Sequence, residues 1–163
     1  MRVLAVDAIA PEGLAHLREN LVNARLVAAE RGVGVRIERR PETSGYTSVL
    51  SLATQTRGGR KITAGTVFDG QARIVRLRDL DIEFAPDGYI LVLSYEDRPG
   101  MVGRIGSILG RQNVNIASMH VGRRSKRGRA IVVLILDEDL SAEQVAEVAH
   151  AVEADFARLV RLP

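Results

Sequence analysis

Two short runs constrain this 163-residue chain most: Tyr89–Tyr95 (YILVLSY) and Ala130–Leu136 (AIVVLIL) are apolar at nearly every position. A strand with one wet face alternates apolar and polar residues, whereas a run apolar throughout is buried on both faces. Two such runs are expected to be the interior pair of a sheet. Arg98-Pro99-Gly100 follows the first and opens a helix predicted to last to about Gln112, since proline suits a first helical turn. A strand over Val114–Gly122 comes next, then a polar turn around Ser125–Gly128. After the second run, Ser141 and Gln144 form a capping box, and Val145, Val148 and Val152 make one apolar stripe. Phe156–Leu162 closes the chain as a strand.

The order β-α-β-β-α-β is that of the ferredoxin-like split unit, whose first and third strands are central. The chain before Gly88 reads differently. Arg2–Asp7 has the composition of a short buried strand, and Pro11 opens a helix with Leu14, Leu17, Leu21, Ala24 and Ala28 at helical spacing, stopping near Gly32. From Val33 the period changes to two, over Val33, Val35 and Ile37. Further strands are predicted at Tyr46–Thr56, Arg60–Phe68, Ala72–Leu77 and Asp81–Phe84. Gly58-Gly59 and Asp69-Gly70 are hairpin signals between them. Turns this frequent argue for an antiparallel sheet. The fold class is α+β, a small and mostly antiparallel sheet with one N-terminal helix followed by the ferredoxin-like unit. The turn Pro86-Asp87-Gly88 is the expected boundary.

Composition narrows the function classes. The chain has 23 basic residues, 21 of them arginine, spread among 20 acids for a net charge of +3. Only Arg123, Arg124, Lys126, Arg127 and Arg129 form a dense run. Aromatics are 4%, a poor supply for base stacking, so a nucleic-acid partner is not expected. The absence of cysteine excludes disulfides, thiolate metal sites and a cysteine nucleophile. Met1–Val6 is too short for a signal peptide, and no apolar run approaches the ~20 residues of a membrane span. The chain reads as soluble and cytoplasmic, with no membrane partner. His16, His120 and His150 have no ligand spacing, which argues against a metal site. No nucleophile elbow, phosphate loop or Ser/His/Asp order is present, so no catalytic residue and no cofactor is expected.

The polar residues around the first helix have two readings. Asp97 can simply cap the helix that Pro99 begins. The same helix start offers unpaired N–H groups and partial positive charge to a carboxylate, leaving Asp97 to take an ammonium group. Asn115, on the adjacent strand, can both donate and accept, as a free amino acid requires. Asn113 reads as a left-handed residue past the helix end. Gly103, Gly106 and Gly110 form a stripe beside Val102, Ile105 and Leu109. Interior glycine costs about 1 kcal/mol relative to alanine, so the stripe implies a close approach by a helix, a second subunit, a ligand or the domain's own sheet. On the earlier strands Arg36, Arg57, Arg60, Arg73, Arg76 and Arg78 form either a solvated face or an anion site, with Arg73 the first choice.

The stretch Ser94–Arg124, SYEDRPGMVGRIGSILGRQNVNIASMHVGRR, resembles the ACT family of ligand-sensing modules. Ala64–Phe84, AGTVFDGQARIVRLRDLDIEF, resembles the intervening domain of D-3-phosphoglycerate dehydrogenases. The resemblance implies a regulatory segment without its own catalytic site, sensing L-serine or a similar small amino acid in a homodimer or homotetramer. It implies that Tyr95, Asp97 and Asn115 contact serine across a seam between two ACT domains, with the backbone of Gly100, Met101 and Val102. Residues 87–163 would be the ACT domain and 21–86 a partial intervening domain, incomplete or completed by a partner. Residues 1–20 look like the start of the same enzyme joined directly to its tail, which implies an internal deletion. Two other readings stay open: a subunit of an iron–sulfur L-serine dehydratase, and an assembly domain with no ligand.

Overall fold

A computed structural model of the chain describes residues 2–7, 26, 29–30, 34–39, 45–56, 59–78 and 80–162. It divides into two compact units, Met1–Asp79 and Leu80–Pro163.

The first unit is built on strands β1 (Arg2–Asp7), β2 (Gly34–Arg39), β3 (Leu50–Thr56), β4 (Gly59–Phe68) and β5 (Gln71–Leu77), lying side by side in the order β2-β1-β3-β4-β5. Only the β1–β3 pair among them is parallel, Arg2 facing Leu50 and Ala5 facing Ala53. The sheet is therefore mostly antiparallel, and β1 is one of its interior strands. β3 begins at Leu50 rather than Tyr46, because Tyr46 packs on Val49, Ala64 and Val75 instead of joining the ladder. At the β4–β5 hairpin Asp69 and Gly70 have φ of 50° and 75°, the paired left-handed geometry for which Asp-Gly is preferred. Leu26, Ala29 and Glu30 are helical. The rest of the predicted N-terminal helix, including Pro11 and Gly32, and Gly58 of the hairpin signal lie outside the described residues.

The second unit contains β6 (Leu80–Phe84), β7 (Tyr89–Glu96), α1 (Met101–Arg111), β8 (Ile116–Arg123), β9 (Arg129–Leu136), α2 (Ala142–Ala151) and β10 (Phe156–Arg161). Its antiparallel sheet has the order β10-β7-β9-β8, with the two apolar runs at its centre as predicted. On the helix side Leu91, Leu93, Val132 and Leu134 are completely buried and pack with Ile105, Leu109 and Val148. On the other side Ile90, Ile131 and Val133 are buried as well, and β6 lies against β8 there. A Cβ added to Gly122 would sit 3.5 Å from Leu80 Cβ and 3.6 Å from Ile82 Cβ, and the rings of Phe84 and His120 are 6.1 Å apart. His120 is thus a packed strand residue, with Ser118 Oγ 3.2 Å from its Nε2.

Both helices end as local chemistry dictates. Asn113 is left-handed, φ 57°, and Val114 N–H donates to Leu109 O at 2.9 Å, closing α1. At the start of α2 the Gln144 N–H donates to Ser141 Oγ at 3.2 Å, and Ser141 N–H donates to Gln144 Oε1 at 2.8 Å. Both halves of the capping box are present. Ser141→Ala should therefore lower stability by about 1 kcal/mol, seen as a shifted urea midpoint with an unchanged slope.

Candidate functional site

The segment leaving β7 is tied to the β8–β9 turn through Asp97 and to the start of α1 through Arg98 O, which accepts from Met101 N–H at 3.4 Å. Asp97 N–H donates to Gly128 O at 3.0 Å, and the Arg123 Nη1 donates to Asp97 Oδ2 in a close ion pair. The turn is held by Gly128 N–H donating to Ser125 O at 3.2 Å. Asp97, Arg98, Pro99, Arg123, Lys126 and Arg127 enclose an open cleft of about 330 Å³. Arg98 is spoken for, its Nη2 lying 2.9 Å from Glu153 Oε2.

Asp97 does not cap the helix. The N-cap of α1 is Gly100, at φ 89° and with no side-chain hydrogen bond, and the first turn holds no acid. The backbone conformation is the reason: a left-handed residue at the cap carries the chain into the helix without help from a side chain. Met101 is buried at 3% exposure and Val102 is open at 55%, so the apolar stripe of α1 is carried by Met101, Ile105 and Leu109 without Val102. The glycine stripe is not packed on the unit's own sheet. A Cβ at Gly103, Gly106 or Gly110 would meet nothing within 4 Å. A groove of about 500 Å³ does run beside α1, lined by Gly100, Gly103, Arg104, Ser107, Arg111 and Ala151 among others.

Tyr95 points into the core, 2% exposed, among the residues packed around Leu93 and Ile105. Asn115 stands at the foot of β8. Its Nδ2 donates to Asp137 Oδ2 at 2.5 Å and its N–H to Glu138 Oε2 at 2.7 Å. The register then separates it from Asp97: Ile116 faces Leu136, whereas Arg123 faces Ala130. Eight strand residues at ~3.3 Å each set the two ends roughly 25 Å apart. Asp97 and Asn115 therefore do not share a pocket within a single copy. The cause is the path of the chain, since α1 carries it back along the sheet before β8 begins.

Arg73, the anion candidate, lies on β5 opposite Thr66. Its Nη2 donates to Gln71 Oε1 at 3.0 Å, while its buried Nε has no partner. Arg57 and the side chain of Arg36 are outside the described residues. Arg123, bonded to Asp97 and lining the same cleft, is a residue that reading the sequence did not select as a candidate. The signal was available in the dense basic run 123–129, which the central position of β9 brings beside the end of β7.

Burial, and secondarily the charge of Asp97, pushes the Tyr95 phenol from 10 up to about 12. The folded chain therefore holds this proton more tightly than the unfolded one. Stability is full below pH 10 and declines as pH rises towards about 12, by roughly 2–3 kcal/mol from this group. Tyr95→Phe should flatten that decline in urea titrations.

Among the described residues, no helix is long and apolar enough to cross a membrane. A family model described as "ACT domain" matches residues 89–154, and one described as "D-3-phosphoglycerate dehydrogenase intervening domain" matches residues 9–78. Three relatives are all D-3-phosphoglycerate dehydrogenases. That of Synechocystis is 37% identical over 98% of this chain and 29% of its own length. That of Archaeoglobus fulgidus is 36% identical over 78% and 24%, and that of Bacillus subtilis 35% identical over 88% and 28%. The chain thus spans less than a third of each relative. With an intervening domain followed by an ACT domain, it belongs to the D-3-phosphoglycerate dehydrogenase family as the C-terminal regulatory part, matching that part and not the catalytic domains.

Proposed function

We propose that this chain is an amino-acid sensor that binds L-serine between two copies, each site using Asp97 of one copy and Asn115 of the other. The observation that carries the reading is the placement of these two residues at opposite ends of β8, the last strand of its sheet. Two β8 edges laid antiparallel across a twofold axis, centred near Met119 and His120, bring the Arg123 end of one against the Asn115 end of the other. One copy then contributes the acid and its partner the amide, and symmetry gives two sites.

The shape of α1 supports a second copy on this side. Arg104 reaches Ala151 O at 3.3 Å and Arg111 lies 3.4 Å from Glu147, so that flank faces α2. At 100° per residue, Val102 and Gly106 fall on the opposite flank and Gly110 between it and the outer face, where open space surrounds both glycines. Exposed Val121, at 48%, adds apolar surface on β8 itself. Bare backbone there permits the near approach that larger side chains forbid.

In this reading the ligand's ammonium group meets Asp97, while the backbone of Gly100, Met101 and Val102 stands outside the cleft that Asp97 lines, with the Met101 N–H already donated to Arg98 O at 3.4 Å. Tyr95 contributes from beneath, through the packing that fixes the β7 exit. Serine favours the paired arrangement because only that arrangement holds the complete site. Arg73 with its unpartnered Nε remains the candidate for an anion in the first unit. The working compartment is the cytoplasm, and the assembly is a homodimer or a pair of dimers.

Mixing two defective variants tests the seam directly. Asp97→Ala and Asn115→Ala proteins should each fail to bind serine in calorimetry while remaining dimeric by sedimentation. After the two are mixed and allowed to exchange, each hybrid dimer should regain one intact site and lack the other. Serine binding by monomers, or no recovery in hybrids whose formation is verified, refutes the shared site. Equal or absent responses to serine, glycine and alanine refute serine sensing.

A further inference from the structure

We propose that Arg123 anchors the ligand's carboxylate, so that the Asp97–Arg123 pair is a receptor for both charges of an α-amino acid. The inference rests on the sensing reading above and deepens it by naming a residue which that reading does not use.

An α-amino acid carries its ammonium and carboxylate on one carbon. A site for it needs an anion and a cation side by side, with free hydrogen-bonding capacity on each. Asp97 and Arg123 are in contact through one atom of each group, Oδ2 and Nη1. Of the five donors on the guanidinium, this contact uses one, and Arg123 has no other partner among the described residues. The Asp97 side chain is 22% exposed and that of Arg123 47%. Both line the same cleft, so its wall presents adjacent opposite charges to solvent. A ligand can bridge them without parting them, its ammonium on the free carboxylate oxygen and its carboxylate on the remaining guanidinium donors.

The neighbours point the same way. Gly100, Met101 and Val102 do not line the Asp97 cleft, and the Met101 side chain is buried. Arg98 is engaged by Glu153. Lys126 and Arg127 stand on the turn with no ion pair among the described residues, and they add positive charge on the side where a carboxylate would lie. Of the four cations, Arg123 is the one bonded to the ammonium's partner. Its planar fork suits the two oxygens of a carboxylate, which a lysine ammonium does not match.

The test compares L-serine with 2-aminopropane-1,3-diol, which keeps the amine and the hydroxymethyl group but replaces the carboxylate. Calorimetric titrations would use the dimeric wild-type chain and the variants Arg123→Ala and Arg123→Lys, with sedimentation and circular dichroism confirming assembly and fold. Wild type should prefer serine. Arg123→Ala should weaken serine by roughly 10- to 100-fold, as expected for losing a hydrogen bond to a charged group, while leaving the diol unchanged. Arg123→Lys should restore part of the loss. The proposal is overturned if Arg123→Ala binds serine as tightly as wild type or more tightly, or if both ligands weaken equally. Wild type that binds no amino acid overturns the sensing reading and this inference together; wild type that binds serine while Arg123→Ala is neutral overturns this inference alone.

Discussion

The exclusion of water from both faces of β7 and β9 is the constraint on which the second unit depends. Leu91, Leu93, Val132 and Leu134 are buried beneath the helices, and Ile90, Ile131 and Val133 on the opposite face. Side chains of this size gain ~1.5–3 kcal/mol each from full burial, an advantage lost at a sheet edge. Once these two strands are central, β8 and β10 must be the outer ones. The connection through α1 then has to span the sheet from the end of β7 to the start of β8.

That return path has a chemical consequence. β7 and β8 run in the same direction, since each is antiparallel to β9. The polar groups at the end of one and the start of the other are consequently held apart by the length of the sheet. Tyr95 and Asp97 lie at the Arg123 end, and Asn115 at the Leu136 end, fixed there by Asp137 and Glu138. In the proposed sensor, site and assembly become one problem, because the half that each proposed site lacks within one copy would come from the surface at which a second copy docks.

Asp97 illustrates how two local readings of one motif are separated only by the folded chain. An acid two residues before a proline that can open a helix suits a cap. Gly100 instead takes the left-handed cap position, freeing the Asp97 carboxylate to meet Arg123 across the β8–β9 turn. Sequence spacing holds no trace of that meeting, for the two residues are far apart along the chain and joined only through the sheet. Asn113, Asp69-Gly70 and the Ser141–Gln144 box show the opposite case. Each is governed by backbone preference and hydrogen bonds within a few residues, and each is legible in the sequence alone.

What the amino-acid sequence determined by itself is whatever a short window of chain can enforce: which runs are strands, where helices start and stop, and which two strands cannot tolerate water on either side. Hydrophobic periodicity and turn chemistry act over such windows, which is why the α+β class and the strand order of the second unit could be read directly. Tertiary structure alone decided which polar groups share a cleft, which face of α1 is left uncovered, and at which end of the sheet each candidate ligand stands. Those outcomes depend on register and on the path of the chain through space. A register is fixed by the packing of the whole sheet, and no single residue carries it.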